Sequence, residues 1–200
     1  MPVNGIPLLF RVVENVKSLS FVDDITIATT HLEADKPIAY ISDKLKVRCV
    51  QGSSSNVLNR FIKASKDMND TDLIVRFTAD NPICVNNITN KMFLSMCDKD
   101  YLAVKNLSHI VPEFIRTNAL RKLAKITKQE EDLEHVTPFF RTKDGQRDFN
   151  VKLLPDDYQG LRPELDKFFT IDTKTDLIRL ENIFMKLDTN RISDLNGLFK

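Results

Sequence analysis

The sequence has no tryptophan, only five glycines and only three cysteines among its 200 residues. Cys49, Cys84 and Cys97 include no CxxC pair, so we expect reduced thiols rather than disulfides or a zinc site. No apolar run approaches about 18 residues, and the first residues lack the basic start and apolar middle of a signal peptide. These absences favour a cytoplasmic protein with no membrane partner.

No charge of either sign dominates, because 29 basic and 28 acidic residues leave a net charge of +1. A chain without a strong overall field is not expected to bind nucleic acid. Hydrophobic residues make up 42% and charged residues 28%, as in ordinary globular proteins. We expect residues 1–200 to form a single domain with a sizeable core.

Segments with the composition of β-strands alternate with segments of helical periodicity. This alternation predicts an α/β fold, with a mostly parallel sheet covered by helices on both faces. The predicted strands are 24–28, 47–50, 73–77, 101–104, 149–154 and 167–171. The predicted helices are 8–19, 35–45, 57–64, 85–96, 118–126, 174–187 and a segment 130–142 that breaks near Pro138.

Two predicted strands run directly into a carboxylate. Asp80 follows the apolar strand 73–77, and Asp172 follows the segment 167–171. Ligands of open α/β sheets bind at the carboxyl ends of the strands. Two carboxylates about 4 Å apart repel by about 4 kcal/mol at an effective dielectric near 20, so they need a shared proton or a cation such as Mg²⁺. The alternative is that Asp80 caps a turn and Asp172 begins a helix.

Each of three further sites has a functional and a structural interpretation. The turn Gly52–Ser54 precedes a helix, where backbone N–H groups can hold a phosphate, although a serine there can simply cap the helix. Arg76 lies within an apolar strand, so it needs a phosphate, an exit to solvent, or an ion pair with Asp72 or another acid. His135 follows Glu134 in a helical segment; it either contacts substrate or a dimer partner, or is structural or exposed.

Six segments occur in an order that resembles the cytidylyltransferase family. They are Val3-Asn-Gly-Ile-Pro-Leu-Leu9, Ile25-Thr-Ile-Ala-Thr29, Gly52-Ser-Ser-Ser-Asn-Val-Leu-Asn-Arg60, Ile74-Val-Arg-Phe-Thr-Ala-Asp-Asn-Pro82, Glu134-His-Val-Thr-Pro138 and Thr170-Ile-Asp-Thr173. That family includes spore-coat polysaccharide synthesis proteins and enzymes that activate sialic acid and 3-deoxy-manno-octulosonate. The resemblance covers nearly the whole chain, and it implies a Rossmann-like nucleotide-diphospho-sugar transferase fold.

The resemblance also implies an activity and a site. A sugar hydroxyl would attack the α-phosphate of CTP, giving a CMP-sugar and pyrophosphate, in a homodimer that uses Mg²⁺. Asp80 and Asp172 look like the family's two catalytic, metal-binding aspartates. The remaining implied contacts are Gly52, Ser53, Ser54, Arg60 and Arg76 to the nucleotide and His135 to the sugar acceptor.

Three departures from the family pattern shape these expectations. The family begins with a strand and a glycine-rich Arg/Lys loop, whereas this chain begins after that unit and has Ile6 where many members have lysine. Ala79 replaces the usual glycine before Asp80, and the segment 109–115 looks shortened. We therefore expect an N-terminally truncated chain (a fragment, a misassigned start or one piece of a split protein) that is impaired in catalysis.

Two other functions compete with this one. The first is a non-catalytic descendant of the fold that binds a nucleotide, a sugar or a protein partner. The second, weaker alternative is a glycosyltransferase that uses a nucleotide-sugar, because such folds share a metal–carboxylate site.

Overall fold

The computed structural model describes residues 2–186, and alternating strands and helices fill this range. The strands are β1 Pro2–Val3, β2 Ile6–Pro7, β3 Thr26–Thr30, β4 Arg48–Gly52, β5 Leu73–Arg76, β6 Tyr101–Val104, β7 Glu113–Arg116 and β8 Val151–Leu154. The helices are α1 Leu8–Lys17, α2 Lys36–Leu45, α3 Val57–Ala64, α4 Asn86–Leu94, α5 Thr117–Ile126, α6 Glu130–His135, α7 Pro138–Arg141, α8 Lys143–Asp148, α9 Glu164–Phe168 and α10 Lys174–Lys186. Within the described range, no helix is long and apolar enough to cross a bilayer.

The strands form a short hairpin and two larger units. β1 and β2 pair as the hairpin, β3 and β4 form a parallel pair, and the third unit is a four-stranded sheet in the order β5-β7-β6-β8. β7 runs antiparallel to both β5 and β6, whereas β6 and β8 are parallel. The prediction of a mostly parallel sheet is therefore wrong for β7. The connection 105–112 is too short for the crossover that a parallel neighbour of β6 requires, so the chain returns in the opposite direction.

Most predicted elements are confirmed, with shifts of a few residues at their ends. β6 has the predicted bounds, and the break near Pro138 separates α6 from α7. The predicted strand 167–171 is wrong, because α9 occupies Glu164–Phe168 and residues 169–173 form no strand. The apolar period of so short a segment cannot distinguish a strand from a buried helix. β1, β2, β7, α8 and α9 were not predicted.

The four-stranded sheet is covered on both faces, as predicted. Alternate residues of β6 face opposite sides, so Leu102 joins one hydrophobic cluster and Tyr101 joins the other. The first cluster includes residues of α4, α9 and α10, and the second includes residues of α3, α5 and α7. All four residues of β6 are buried, which identifies it as a central strand of this sheet.

A buried carboxylate fixes β7 against its neighbours. Glu113 is 0% exposed and lies directly opposite Arg76 in the β5–β7 register. Its Oε2 is 2.6 Å from Nη1 of Arg76, and its Oε1 is 2.7 Å from Nη2 of Arg141. The hydroxyls of Tyr101 and Thr137 also donate to this carboxylate. Burial would raise the pKa of Glu113, but the two guanidinium groups outweigh it, and the pKa falls below its usual value.

The Glu113→Gln substitution should destabilise the fold, since it leaves two guanidinium groups without a compensating charge. We expect a loss of about 3 kcal/mol in the free energy of unfolding, as for other buried pairs that lose one partner. Chemical denaturation measures it. Glu14→Gln is the matched control, because Glu14 pairs with Lys17 at the surface, and its effect should stay below about 0.5 kcal/mol.

The ion pairs of Glu113 also predict how the stability of the fold depends on pH. A carboxyl whose folded-state pKa is lowered stabilises the protein above its unfolded-state value of 4.5, and this contribution is lost as the pH falls through the folded-state pKa. Unfolding of the wild-type chain should therefore become easier below about pH 4.5. The slope of stability against pH should be shallower in Glu113→Gln, and an unchanged slope would contradict the assignment.

Candidate active site

The loop 77–85 after β5 carries polar atoms that have no partner. Oγ1 of Thr78, Oδ1 of Asp80 and Nδ2 of Asn81 are buried, and none of them bonds to a described residue. The loop itself is well anchored, because Oδ1 of Asn81 accepts from the amide of Ile83 at 3.0 Å. Buried polar groups in folded proteins nearly always have partners. These three side chains therefore mark a place where a polar ligand or an ion fits.

The backbone brings the two predicted aspartates into the same region. The amide of Ile171 donates to the carbonyl oxygen of Asp80 at 3.1 Å, so Asp172 follows a residue that contacts Asp80 directly. Asp172 is exposed. It does not cap α10, because Thr173 and Asp176 form a reciprocal capping box, with the Thr173 amide 2.8 Å from Oδ2 of Asp176. The helix-cap alternative for Asp172 is thus wrong.

A histidine that the sequence analysis did not select lies in the same neighbourhood. Asp166 accepts from the amide of His109 at 2.7 Å and lies 2.8 Å from its Nδ1. The hydrogen bond to Asp166 raises the pKa of His109, burial opposes this, and the carboxylate of Asp80 adds to the rise while Arg76 opposes it. Arg76, Asp80, His109 and Asp166 therefore form one electrostatic cluster at the end of β5.

Arg76 forms a structural ion pair, which was the alternative to nucleotide binding. Its partner is another acid and not Asp72. Arg76 pairs with Glu113, whereas Asp72 accepts a hydrogen bond from the amide of Asn69 at 2.7 Å. A contact between Arg76 and a nucleotide stays a prediction. The complementary charges at directly opposed positions of β5 and β7 would have identified the pair, but only if β7 had been predicted.

A second polar cluster surrounds Gly52 and Arg60. Gly52 is the last residue of β4 rather than part of the turn, and a Cβ there would lie 2.7 Å from Cγ of Arg60. The glycine thus lets the arginine side chain cross the strand. Nη1 of Arg60 is 3.4 Å from the carbonyl oxygen of Ala28, and its buried Nε has no partner among the described residues. Burial lowers the pKa of Arg60, and the charge of Asp35 opposes this shift.

The turn after Gly52 leaves its hydroxyl groups available. Ser53 and Ser54 are exposed, and the hydroxyl of Ser53 lies 3.2 Å from that of Ser55. Asn56, not a serine, caps α3 by accepting from the amide of Asn59 at 2.8 Å. The serine-cap alternative is therefore wrong, and the turn is free to contact a ligand.

A cavity of about 430 Å³ lies between β3 and the loop after β5. Ala28 and Thr29 line it from the end of β3, and Ala79 lines it from the loop after β5. Its size falls within the range of small-molecule sites. The hydroxyl oxygen of Thr29 is another buried atom without a partner among the described residues.

His135 is not brought to either cluster by any contact of the described residues. It is exposed at the end of α6, and its carbonyl oxygen accepts from the amide of Thr137. The neighbouring Thr137 contributes to the fold through its bond to Glu113. A role for His135 in substrate binding stays a prediction.

The residues found here fit a magnesium ion in one respect, which is the buried oxygen of Asp80 that has no partner among the described residues. Among the described residues, no group of three or more His, Cys, Asp or Glu side chains is placed to hold a metal. Mg²⁺ commonly takes only one or two protein carboxylates together with substrate phosphates. Two aspartates are thus a sufficient donor set for an ion that arrives with a nucleotide.

Comparison with known proteins places this fold in a family. The sequence model described as Cytidylyltransferase matches residues 1–197. An uncharacterized protein of Methanocaldococcus jannaschii is 34% identical, with 95% of this chain and 84% of that protein aligned. The spore coat polysaccharide biosynthesis protein SpsF of Bacillus subtilis is 27% identical, with 92% of this chain and 78% of SpsF aligned.

Solved structures share the architecture at lower identity. A cytidylyltransferase from Leptospira borgpetersenii superposes with a TM-score of 0.80 at 22% identity, over 100% of this chain and 85% of that one. A CMP:2-keto-3-deoxy-manno-octonic acid synthetase complexed with CTP superposes with a TM-score of 0.69 at 10% identity, over 93% and 90% of the two chains. The fold is therefore the α/β nucleotidyltransferase fold, and the chain belongs to the cytidylyltransferase family.

Proposed function

We propose that this protein transfers the CMP group of CTP to a hydroxyl of an acidic or related sugar in surface-polysaccharide biosynthesis. The buried carboxylate oxygen of Asp80, which has no partner among the described residues, carries the proposal, and the backbone bond from Ile171 to Asp80 brings the segment that contains Asp172 to the same loop. Support for the sugar and the pathway comes from SpsF, whose name refers to spore-coat polysaccharide synthesis, and from the fold shared with a sugar-acid synthetase complexed with CTP.

The reaction is a substitution at phosphorus. An oxygen–phosphorus bond forms between the sugar hydroxyl and the α-phosphate, the bond to the β-phosphate oxygen breaks, and the hydroxyl proton is released. Asp80 and Asp172 would hold Mg²⁺, which when bound would neutralise charge on the triphosphate and the departing pyrophosphate. Nucleotidyl transfer offers the protein little covalent chemistry, so positioning and charge would dominate its contribution.

Arg60 and the turn beside it are suited to binding the nucleotide. Arg60 lies at the end of β3 and β4, with a buried Nε free for an acceptor such as a phosphate oxygen. Gly52 gives that side chain its path, and the exposed Ser53 and Ser54 add hydroxyl and amide donors beside it. We assign the nucleotide to Arg60 and the turn after Gly52, and the reacting phosphate to the neighbourhood of Asp80.

The non-catalytic alternative was based on two features, which are Ala79 and the segment 109–115. Ala79 does not have a positive φ, so its methyl group causes no backbone strain there. Part of the segment 109–115 forms β7, and His109 in the same segment is oriented by Asp166. Backbone strain at Ala79 therefore does not favour a purely binding role over catalysis.

The Asp80→Asn and Asp172→Asn substitutions should each lower pyrophosphate release from CTP by about 100-fold or more, since each removes a charge that holds the cation. The assay uses CTP, Mg²⁺ and a panel of acidic sugars. Mn²⁺ binding measured by electron paramagnetic resonance gives a readout independent of turnover, and it should weaken in both variants. Asp144→Asn is the control, because Asp144 pairs with Arg147 at the surface.

Normal Mn²⁺ binding by both aspartate variants would contradict the metal assignment. If the wild-type chain binds CTP and Mn²⁺ but releases pyrophosphate with no acceptor in the panel, the binding role gains support over catalysis.

The Gly52→Ala substitution should weaken CTP binding about 10-fold, because the new methyl group displaces the Arg60 side chain from its path across β4. Isothermal titration calorimetry with CTP measures this effect without requiring turnover. Asp144→Asn is the control, because Asp144 pairs with Arg147 at the surface and belongs to neither polar cluster. Equal affinities of Gly52→Ala and wild type would exclude a nucleotide contact by Arg60.

A further inference from the structure

A histidine with buried neighbours lies in the connection between β6 and β7. His109 belongs to the turn 108–110. The apolar residues on either side of it are buried in the first hydrophobic cluster, with exposed fractions of 0% for Leu107, 1% for Ile110 and 2% for Val111. The side chain of His109 itself remains 35% exposed. The turn is therefore anchored on both sides of the histidine, while the imidazole can still be reached by solvent or by a ligand.

Asp166 binds the backbone and the ring of His109 at the same time. Its Oδ1 accepts from the amide of His109 at 2.7 Å, and its Oδ2 lies 2.8 Å from Nδ1 of the ring. Asp166 is 8% exposed, and the nearby Leu165 and Phe169 are both 0% exposed. The bond to the amide already ties the turn to α9. The second bond has a different effect, which is to fix the orientation of the ring.

The bond to Asp166 also determines which ring nitrogen carries the proton. An ionised carboxylate only accepts hydrogen bonds, so Nδ1 of His109 must donate. In the neutral imidazole the lone pair is then on Nε2. None of the hydrogen bonds formed within residues 2–186 involves this Nε2. His109 therefore has a fixed acceptor nitrogen that the fold does not use.

The segment 166–172 connects this pair to the two aspartates of the candidate site. The hydroxyl of Thr170 donates to the carbonyl oxygen of Asp166 at 3.1 Å. The amide of Ile171 donates to the carbonyl oxygen of Asp80 at 3.1 Å. The last residue of the segment is the second aspartate of the site. One short segment thus contains the carboxylate that orients the histidine, the contact to the loop after β5 and the second aspartate.

Charged groups from three places in the fold act on the imidazole. The hydrogen bond to Asp166 of α9 raises the pKa of His109, and burial opposes this rise. The carboxylate of Asp80 in the loop after β5 adds to the rise, whereas the guanidinium of Arg76 in β5 opposes it. Their combined effect stabilises the imidazolium, which is the form that results when Nε2 takes up a proton.

We propose that Nε2 of His109 accepts the proton of the sugar hydroxyl during CMP transfer, and that Asp166 is its positioning residue. This role rests on the proposed function. The O–H bond of the sugar breaks, and its electron pair forms the new bond to the α-phosphorus. The bond from that phosphorus to the bridging oxygen of the β-phosphate breaks, and pyrophosphate leaves with the electron pair. The proton moves to Nε2 and then to solvent, which the partly exposed ring reaches.

The His109→Gln substitution should lower kcat by about 100-fold or more, because glutamine has a similar reach but does not take up a proton. Pyrophosphate release is measured with CTP, Mg²⁺ and the acidic sugar of the panel that gives the fastest wild-type turnover. The affinity for CTP, measured by isothermal titration calorimetry, should match that of the wild type. The wild-type kcat should fall as the pH drops through the pKa of His109, and this decline should be absent in the variant.

The Asp166→Asn substitution tests the positioning role. The asparagine oxygen can still accept from the backbone amide of His109, but its NH₂ group donates to Nδ1, so the ring proton moves to Nε2. We expect kcat to fall by about 100-fold or more, as when a histidine is held in the wrong tautomer. Combining it with His109→Gln should lower kcat no further, since Asp166 acts through His109. Glu164→Gln, at an exposed position of the same helix, is the matched control and should keep the wild-type kcat.

Nitrogen-15 magnetic resonance of the imidazole gives a readout that needs no turnover. Above the pKa of His109, its ring should have a protonated Nδ1 and an unprotonated Nε2 in the wild type, and the reverse in Asp166→Asn. The signal that disappears in His109→Gln identifies this residue. A protonated Nε2 in the wild type at that pH, or a wild-type kcat in His109→Gln, would overturn the role of His109 while leaving CMP transfer intact. If the wild type releases no pyrophosphate with any acceptor, the proposed function fails, and this role fails with it.

Discussion

The arrangement of the four-stranded sheet depends on one buried carboxylate. Glu113 is enclosed by Arg76 from β5, Tyr101 from β6 and Arg141 from α7, so three elements meet at a single side chain. A lone buried carboxylate would be very unfavourable, and only the complete set of partners makes its burial acceptable. The same contacts hold the antiparallel β7 in register, and thereby fix the end of β5 from which the loop with Asp80 departs.

The sequence predicted what short-range chemistry determines. Helices with long apolar periods and turns marked by Pro138 and Asn56 were found because these signals are local. β7 was not predicted because it is four residues long and carries Glu113 and Arg116 at its ends. These charged ends hide the alternation of apolar and polar residues that is typical of a strand. Its direction depends on the length of a connection and on a partner in β5, and neither can be read from a local window.

The candidate site was also predicted only in part. Asp80 stood out because it follows an apolar strand, and its unpartnered oxygen agrees with that interpretation. His109 and Asp166 are far apart in sequence, so their pairing follows only from the fold. Gly52 was assigned to a turn, yet its importance in the structure is the close approach of Arg60, which no property of the sequence signals.

The capping box of α10 has a consequence for how this site can change during evolution. Thr173 and Asp176 satisfy the first amides of the helix, so Asp172 is not needed to begin it. Selection on ligand chemistry can therefore act on Asp172 without a penalty in helix stability. In a protein whose neighbouring residues have separate roles, an exposed position such as Asp172 can change while the helix that follows it is preserved.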